Sequence, residues 1–154
     1  MIQGFGAVGT GAARCLNEMG YKIVAVSDAR CMVYCEEGLD ADLLIDSVKD
    51  RGYLNQEAFK PEYKVMKNSQ WEDISCDIFM PAALDGVING KNAEKLDFKL
   101  IVEAANIPTT PEADVVLERR NPGSTGLYRE SGSHKTLRCG TLRTDSTGGT
   151  GTHR

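Results

Sequence analysis

Two patterns of apolar and polar positions alternate at the beginning of the chain. Between Ala7 and Met19, apolar residues recur three or four positions apart, as they do on one face of a helix. These residues are Val8, Ala12, Cys15, Leu16 and Met19. Gly20 ends that pattern, and the following run YKIVAVSD is mostly apolar up to Asp28, which is typical of a strand buried in a parallel sheet. With residues 2–3 as a short first strand, the pattern predicts strand, glycine-rich turn, helix and strand.

The middle of the chain repeats this alternation with weaker signals. Met32–Tyr34 is predicted to be a short extended piece. Asp40 is a favourable N-cap residue, so we expect a helix from there to about Lys49, with apolar side chains directed inward. Those side chains are Leu43, Leu44 and Val48. After a loop-rich stretch around Pro61, the run CDIFMP predicts a second buried strand that ends at Pro81.

Three further elements are predicted before Arg120. The segment NAEKL, residues 92–96, predicts a short helix, and KLIVEAAN, residues 99–106, predicts a third buried strand. Thr110 followed by Pro111 predicts the start of a helix, because proline is favoured in the first helical turn. Strands and helices therefore alternate as far as Arg120.

This alternation predicts an α/β fold with a doubly wound, mostly parallel sheet and helices on both faces. Ligand sites in such sheets lie at the carboxyl ends of the strands. Here those ends are Gly4–Gly9, Asp28, Pro81–Leu84 and Ala104–Pro108. They are also where the unusual residues of the sequence are concentrated.

The composition changes after Arg120. The last 34 of the 154 residues hold 7 Gly, 7 Thr and 4 Ser against five apolar residues, so they cannot bury enough surface to offset their ordering entropy. We therefore expect a partial domain over residues 1–120 and an irregular, low-complexity tail over residues 121–154, which is either disordered or frameshifted. The overall net charge is −4. The tail carries five Lys/Arg and two Asp/Glu, a net charge of +3, so the net charge of residues 1–120 is −7.

Bulk properties exclude several classes of protein. The mild net negative charge argues against nucleic acid or an anionic membrane as a partner. Five cysteines without a CxxC pair or a signal peptide indicate a reducing, cytoplasmic location. Both histidines lie in the tail, so we expect no metal site. No apolar run approaches the length of a membrane span.

The first glycines form the pattern GxGxxG, which is typical of dinucleotide-binding Rossmann-type folds. Gly4 permits the tight turn, Gly6 lets the backbone approach a pyrophosphate, and Gly9 lets helix and strand pack closely. Asp28 follows Gly9 by nineteen residues, at the end of the next predicted strand, where a carboxylate can bind the adenosine ribose. Such an aspartate can instead cap a turn.

The choice between NAD and NADP is open at this stage. Asp28 disfavours a 2′-phosphate, whereas Arg30 could attract one. The balance favours NAD slightly.

Several longer segments resemble the nucleotide domain of glutamate dehydrogenases. They are IQGFGAVG, KIVAVSD, EEGLD, CDIFMPAAL, KNAEKL and IVEAANIPTTPEADVVLERR, and PTTPEAD is the most specific. The resemblance covers nearly all of residues 2–120. Amino-acid dehydrogenases in general are the broader family to which it points. It implies a homohexameric enzyme that oxidatively deaminates L-glutamate to 2-oxoglutarate and ammonia with NAD or NADP.

The resemblance also implies roles for individual residues. Gly6, Ala7 and Val8 would hold the pyrophosphate, and Asp28 would hold the adenosine ribose. Ala82 and Ala83 would line the cofactor crevice, and Asn106 would bond near the nicotinamide. The resembling enzymes usually have Asn at the position of Ala7 and glycine at those of Cys31, Ala104 and Ile107. If one of these needs a positive φ, the β-branched Ile107 is the costliest occupant.

The resembling enzymes also carry a preceding substrate domain with the lysines and the aspartate that act on glutamate. Residues 1–120 contain no nucleophile–base pair with an orienting group, so we expect no catalytic residue here and no activity of the chain alone. When the tail is back-translated with free codon choice and read one base later, it gives a segment similar to these enzymes. We therefore hypothesise a frameshift near Arg120, with a natural flexible tail as the alternative.

A second class of function remains open. Single Rossmann-type modules that sense dinucleotides without catalysis also carry a glycine turn and an acidic residue after the second strand. Such modules lack the segments PAAL and PTTPEAD of this chain. A purely structural role has only a possible exposed sheet edge in its favour.

Overall fold

The computed structural model describes residues 1–48, 53–120 and 127–129. Within these residues the chain forms seven strands, which are β1 (Ile2–Gln3), β2 (Ala25–Ser27), β3 (Met32–Tyr34), β4 (Lys64–Met66), β5 (Ile78–Pro81), β6 (Leu100–Glu103) and β7 (Leu127–Arg129). The helices are α1 (Ala7–Glu18), α2 (Ala41–Ser47) and α3 (Pro111–Arg120), with 3-10 turns at Gln56–Ala58 and Asn68–Asp73. None of the helices in this described part is long and apolar enough to cross a membrane.

The strands form one sheet in the order β4-β3-β2-β1-β5-β6-β7. β1 lies between β2 and β5 and is parallel to both, and β5, β6 and β7 continue the parallel part. β3 is antiparallel to β2 and to β4. The predicted α/β fold with a mostly parallel sheet is therefore confirmed. The antiparallel edge follows from the four-residue connection between β2 and β3, which is too short for a crossover helix.

The predicted helix boundaries agree closely with the structure. α1 ends one residue before Met19, and Gly20 follows with φ +78°, a conformation that favours glycine. Asp40 caps α2 because its carboxylate accepts a hydrogen bond from the amide of Leu43 at 3.0 Å. The predicted end of that helix at Lys49 lies outside the described residues.

The short helix predicted over residues 92–96 is wrong, because the segment forms hydrogen-bonded turns instead. The Asn92 side chain accepts from the amide of Asn89 at 2.8 Å and donates to the carbonyl of Val87 at 2.8 Å. Asparagine favours turns over helices through such local side-chain bonds to the backbone. The side-chain bonds of Asn92 therefore favour turns more strongly than the helix-forming residues that follow it favour a helix.

Strand β7 falls inside the segment that was expected to be irregular. It pairs in parallel with β6, with Leu127 opposite Ile101 and Tyr128 opposite Val102. Three residues are too few to show an alternating pattern, so sequence reasoning missed this strand. The rest of residues 121–154 lies outside the described part of the chain, and the hypothesis about its origin stays a prediction.

The sheet separates two apolar clusters. Successive strand residues point to opposite faces, so Val26 and Val33 join one cluster while Ala25 and Met32 join the other. The first cluster is covered by α1 and α2 through buried side chains such as Ala13 and Leu44. The second contains a stack of aromatic rings in which Trp71 and Phe98 each contact Phe79, with centroids 4.8 Å apart in both pairs. This two-sided core fixes the strand ends that form the candidate site.

Candidate functional site

Backbone hydrogen bonds bring the carboxyl ends of four strands together. The amide of Gly4 donates to the carbonyl of Ser27 at 2.8 Å, which joins the end of β1 to the end of β2. The amide of Ala82 donates to Gln3 at 2.7 Å, and that of Ala104 donates to Pro81 at 3.0 Å. The glycine turn, the residues after β5 and those after β6 therefore lie along one edge of the sheet, as the strand order requires.

Two glycines of the turn occupy positions where a side chain does not fit. Gly4 has φ +98°, and a Cβ placed on it would lie 2.6 Å from the Cβ of Ala83 and 2.9 Å from the carbonyl oxygen of Ala82. A Cβ on Gly9 would lie 1.8 Å from the carbonyl oxygen of Gly4. The mechanical roles expected for these two glycines, a tight turn and a close packing of helix on strand, therefore agree with the geometry.

Gly6 differs from both of them. Its φ is −76°, it is exposed, and no atom lies within 4 Å of a Cβ placed on it. The protein fold itself therefore does not require glycine at this position. What a missing side chain does provide is an uncovered backbone at the beginning of α1.

The beginning of α1 is suited to an anion. Gly6 is the N-cap residue and supplies no side-chain acceptor to the first turn, where Ala7 and Val8 are exposed. The first amides of a helix have no acceptor within the helix, and they lie at the positive end of its dipole. The first turn of α1 also carries no acidic residue. These features are those of a helix N-terminus that binds phosphate groups.

Asp28 is largely buried at the end of β2, and its carboxylate is already engaged by backbone amides. One carboxylate oxygen accepts from the amides of Arg30 at 2.6 Å and Cys31 at 2.8 Å. The other accepts from the amide of Leu54 at 2.7 Å. An ionised carboxylate offers about four acceptor positions, so roughly one is left for a ligand. The turn-capping role is thus present, and ribose binding by Asp28 stays a prediction.

The surroundings of Asp28 were missed by the sequence reasoning. Asn68 lies forty positions away along the chain, and its Nδ2 donates to the backbone carbonyl of Asp28 at 2.7 Å. The guanidinium carbon of Arg30 lies 3.8 Å from the centre of the Tyr53 ring. Burial raises the pKa of the Cys31 thiol, and the negative charge of Asp28 adds to that shift. No sequence pattern connects these positions, because tertiary folding alone makes them neighbours.

The loops after β5 and β6 complete this edge of the sheet. Ala82 is half-buried and Ala83 is exposed, next to the glycine turn, and Asn106 is exposed in the loop after β6. The two loops are joined because the amide of Gly86 donates to the carbonyl of Ile107 at 3.0 Å. The structure therefore places Asn106 on the same edge as the turn.

Ile107 itself has an unfavourable backbone conformation. Its φ is +47°, and its side chain is 68 % exposed. Residues with a Cβ rarely adopt this region, and β-branched residues least of all. The expectation that Ile107 is the costly occupant if a positive φ is needed is confirmed. Cys31 and Ala104 do not share this conformation.

Two ion pairs lie elsewhere in the described part of the chain. Lys60 pairs with Asp40 at 2.9 Å on an exposed surface, and Lys99 pairs with Asp77. Neither pair lies at the carboxyl edge of the parallel strands. The residues that the structure describes contain no group of three His, Cys, Asp or Glu side chains arranged to hold a metal ion.

Comparison with known proteins gives concordant results. The sequence profile of the family described as glutamate/leucine/phenylalanine/valine dehydrogenase matches residues 1–124. Glutamate dehydrogenase of Thermotoga maritima is 44% identical over 120 residues, which are 77% of this chain and 28% of that protein. NADP-specific glutamate dehydrogenase of Saccharolobus shibatae is 42% identical over 120 residues, 78% of this chain and 28% of that protein.

A solved structure extends the likeness to three dimensions. The hetero-hexameric glutamate dehydrogenase of Thermus thermophilus superimposes with a TM-score of 0.67 and 25% identity, over 78% of this chain and 27% of that one. The chain thus spans little more than a quarter of the length of these relatives. The part matched by the family profile, residues 1–124, includes the whole edge described above.

Proposed function

Because the chain belongs to the glutamate/leucine/phenylalanine/valine dehydrogenase family, we propose that it supplies the NAD(P)-binding domain of a glutamate dehydrogenase. The reaction of that enzyme would be the oxidative deamination of L-glutamate to 2-oxoglutarate and ammonia. The dinucleotide, when bound, supplies the hydride acceptor for this chemistry. The contribution of the described residues is to bind the dinucleotide and orient it.

The observation that carries the proposal is the difference between the three glycines of the turn. Packing inside the protein accounts for Gly4 and Gly9, since a Cβ at either would overlap backbone atoms. It does not account for Gly6, around which there is open space. A pyrophosphate lying against this uncovered backbone, facing the first amides of α1, provides the missing reason.

The remaining site residues extend along the same edge. Asp28 would offer its last acceptor position to the adenosine ribose. Ala82 and Ala83 have small side chains that leave room for the cofactor in the crevice beside the turn, and Asn106 would donate or accept a hydrogen bond near the nicotinamide. The order Asp28, glycine turn, Asn106 follows the strand order β2, β1, β5, β6, so an extended dinucleotide can contact all of them.

The proposed domain has no reaction centre of its own. Glutamate binding and proton transfer would depend on lysines and an aspartate of a substrate domain, as the family resemblance implies. We therefore propose that this chain alone does not turn over glutamate, and that hexamer formation belongs to the complete enzyme.

Titration of the chain with NAD and NADP by isothermal calorimetry tests the proposal. Gly6→Ala should weaken binding of both dinucleotides about tenfold, because the added methyl group occupies the space of the pyrophosphate. It should change the midpoint of thermal unfolding by only a few degrees, since the new Cβ contacts nothing and only the preference for glycine over alanine at an N-cap is lost. Gly11→Ala, also in open space but further along α1, is the matched control and should leave binding unchanged.

Two outcomes would contradict the proposal. One is that neither dinucleotide binds to the folded chain, and the other is that Gly6→Ala binds as tightly as the unchanged protein. A dinucleotide sensor would also bind, so the alternative needs a separate assay. Joined to the substrate domain of a glutamate dehydrogenase, a sensor module would produce no NAD(P)H from glutamate, whereas the domain proposed here would.

A further inference from the structure

The corner formed by Asp28, Arg30 and Tyr53 bears on which dinucleotide is used. We propose that Arg30, held against Tyr53, makes this site select the dinucleotide that carries a 2′-phosphate, NADP. The proposal rests on the proposed function and deepens it, because it concerns the adenosine end of the same site. It also reverses the slight preference for NAD that Asp28 suggested from the sequence.

Asp28 is only a weak NAD-selecting residue in this structure. Such a residue accepts hydrogen bonds from the ribose hydroxyls and repels a 2′-phosphate through its charge. Here three backbone amides, those of Arg30, Cys31 and Leu54, already donate to the carboxylate at 2.6 to 2.8 Å. They occupy both oxygens, and their partial positive charges offset part of the negative charge. The carboxylate therefore keeps roughly one acceptor position for a ribose hydroxyl, and its charge repels a 2′-phosphate less than that of a free carboxylate would.

The Arg30 side chain supplies a positive charge at this corner. It is exposed and begins two residues after Asp28, at the carboxyl end of β2 where the adenosine ribose would lie. Within the described part of the chain, no carboxylate forms an ion pair with it. Its guanidinium carbon lies 3.8 Å from the centre of the Tyr53 ring. Its charge therefore has no carboxylate partner among residues 1–48 and 53–120, which leaves it available to a ligand.

Stacking and phosphate binding use different parts of a guanidinium group. The Tyr53 ring contacts its face, which restricts the long side chain before any ligand arrives. The N–H donors of a guanidinium group lie in its plane, so a contact through its face leaves them able to bind a phosphate through two parallel hydrogen bonds. Holding the group in place in advance reduces the entropy that binding would otherwise cost. Residues 1–120 carry a net charge of −7, so a local cation at this corner would help to attract a phosphate against that charge.

A further observation indicates that the corner is completed by a ligand. The Oδ1 atom of Asn68 is buried and has no hydrogen-bond partner among the described residues, while its Nδ2 donates to the carbonyl of Asp28. Buried polar atoms are nearly always paired. An adenosine carries hydroxyl and amino donors that can pair with this oxygen.

Calorimetric titration of the full 154-residue chain with four ligands tests the proposal. The ligands are NADP and NAD, together with their adenosine halves 2′,5′-ADP and 5′-AMP, which isolate the corner from the rest of the site. We expect each 2′-phosphorylated ligand to bind about ten- to a hundredfold more tightly than its partner, the range of a charge-assisted pair of hydrogen bonds. The ratio should fall as salt is raised, because the arginine is exposed.

Arg30→Gln should bring the ratio of NAD to NADP dissociation constants close to one while leaving the affinity for NAD unchanged. Tyr53→Leu should reduce the ratio only in part, because the charge remains but its position is no longer restricted. Arg14→Gln is the matched control, since Arg14 is an exposed arginine two turns into α1. Thermal unfolding of each variant confirms that it is folded.

The possible results separate this proposal from the previous one. If NAD binds as tightly as NADP, or if Arg30→Gln keeps the full preference for NADP, the assignment to Arg30 is overturned while the binding domain stands. If none of the four ligands binds to the folded chain, the proposed function fails and this inference fails with it.

Discussion

The hydrogen bonds of Asp28 lead to a quantitative prediction about stability. Its carboxylate connects the turn after β2 to Leu54, which lies 26 residues further along the chain. Replacing Asp28 by Asn keeps one acceptor oxygen for the amides of Arg30 and Cys31. The other oxygen becomes an NH₂ group that faces the amide of Leu54, so that two donors oppose each other where the structure has a bond of 2.7 Å.

The cost of this change has two parts. A hydrogen bond to a charged group contributes about 1.5–3 kcal/mol, and the bonds that remain become neutral and weaker. A buried amide left without a partner costs about 1–3 kcal/mol. The two parts overlap, so we expect Asp28→Asn to lower the free energy of unfolding by about 3 kcal/mol. Domains of this size have only about 5–15 kcal/mol in total, which makes this a large fraction.

Urea denaturation followed by fluorescence provides the measurement. Trp71 is the only tryptophan in the sequence, and its ring is buried against Phe79, so its emission reports directly on the core. Asp42→Asn is the matched control, because Asp42 is exposed and the bond that its carboxylate accepts from Asn17 at 3.1 Å is also exposed. Its effect should stay within about 0.5 kcal/mol.

A change of less than about 0.5 kcal/mol for Asp28→Asn would refute the reasoning. It would mean that the three amides do not depend on the carboxylate, so that Asp28 could bind both ribose hydroxyls and repel a 2′-phosphate with its full charge. Asp28 would then favour NAD, which contradicts the selection of NADP by Arg30.

Two further predictions concern the backbone of Ile107 and the cap of α2. Ile107→Gly should raise the free energy of unfolding by about 1 kcal/mol in the same urea assay, because glycine adopts the positive φ without strain and the side chain that is lost is exposed. A lower free energy of unfolding would show that the backbone of Ile107 is not strained. The amide of Leu43 holds the pKa of Asp40 below its usual 3.8, and Lys60 adds to the shift. The ionised cap therefore stabilises the fold above pH 3.8, and this contribution is lost as the pH falls through the lowered pKa. Asp40→Ala should cost about 1 kcal/mol at pH 7 and progressively less below pH 3.8, and a cost independent of pH would contradict this cause.

The elements that the sequence predicted correctly are those with strong local signals. α1 is recognisable from its apolar spacing and from the glycines that flank it, and α3 from Thr110 before Pro111. The glycine turn and Asp28 were located because their spacing along the chain is itself the signal. The local signal was misleading at Asn92, whose side chain bonds with neighbouring backbone groups and favours turns where the composition favoured a helix.

The sequence by itself thus determined the class of fold, the family and the position of the candidate site, because each of these depends on short-range periodicity or on residues at set spacings. Only the tertiary structure decided what Asp28 does, since its partner Leu54 and its neighbour Asn68 lie 26 and 40 positions away. The stacking of Arg30 on Tyr53, the strand at Leu127–Arg129 and the positive φ of Ile107 belong to the same category. Each arises where distant segments compete for the same hydrogen bonds and the same space, and no local pattern records the outcome of that competition.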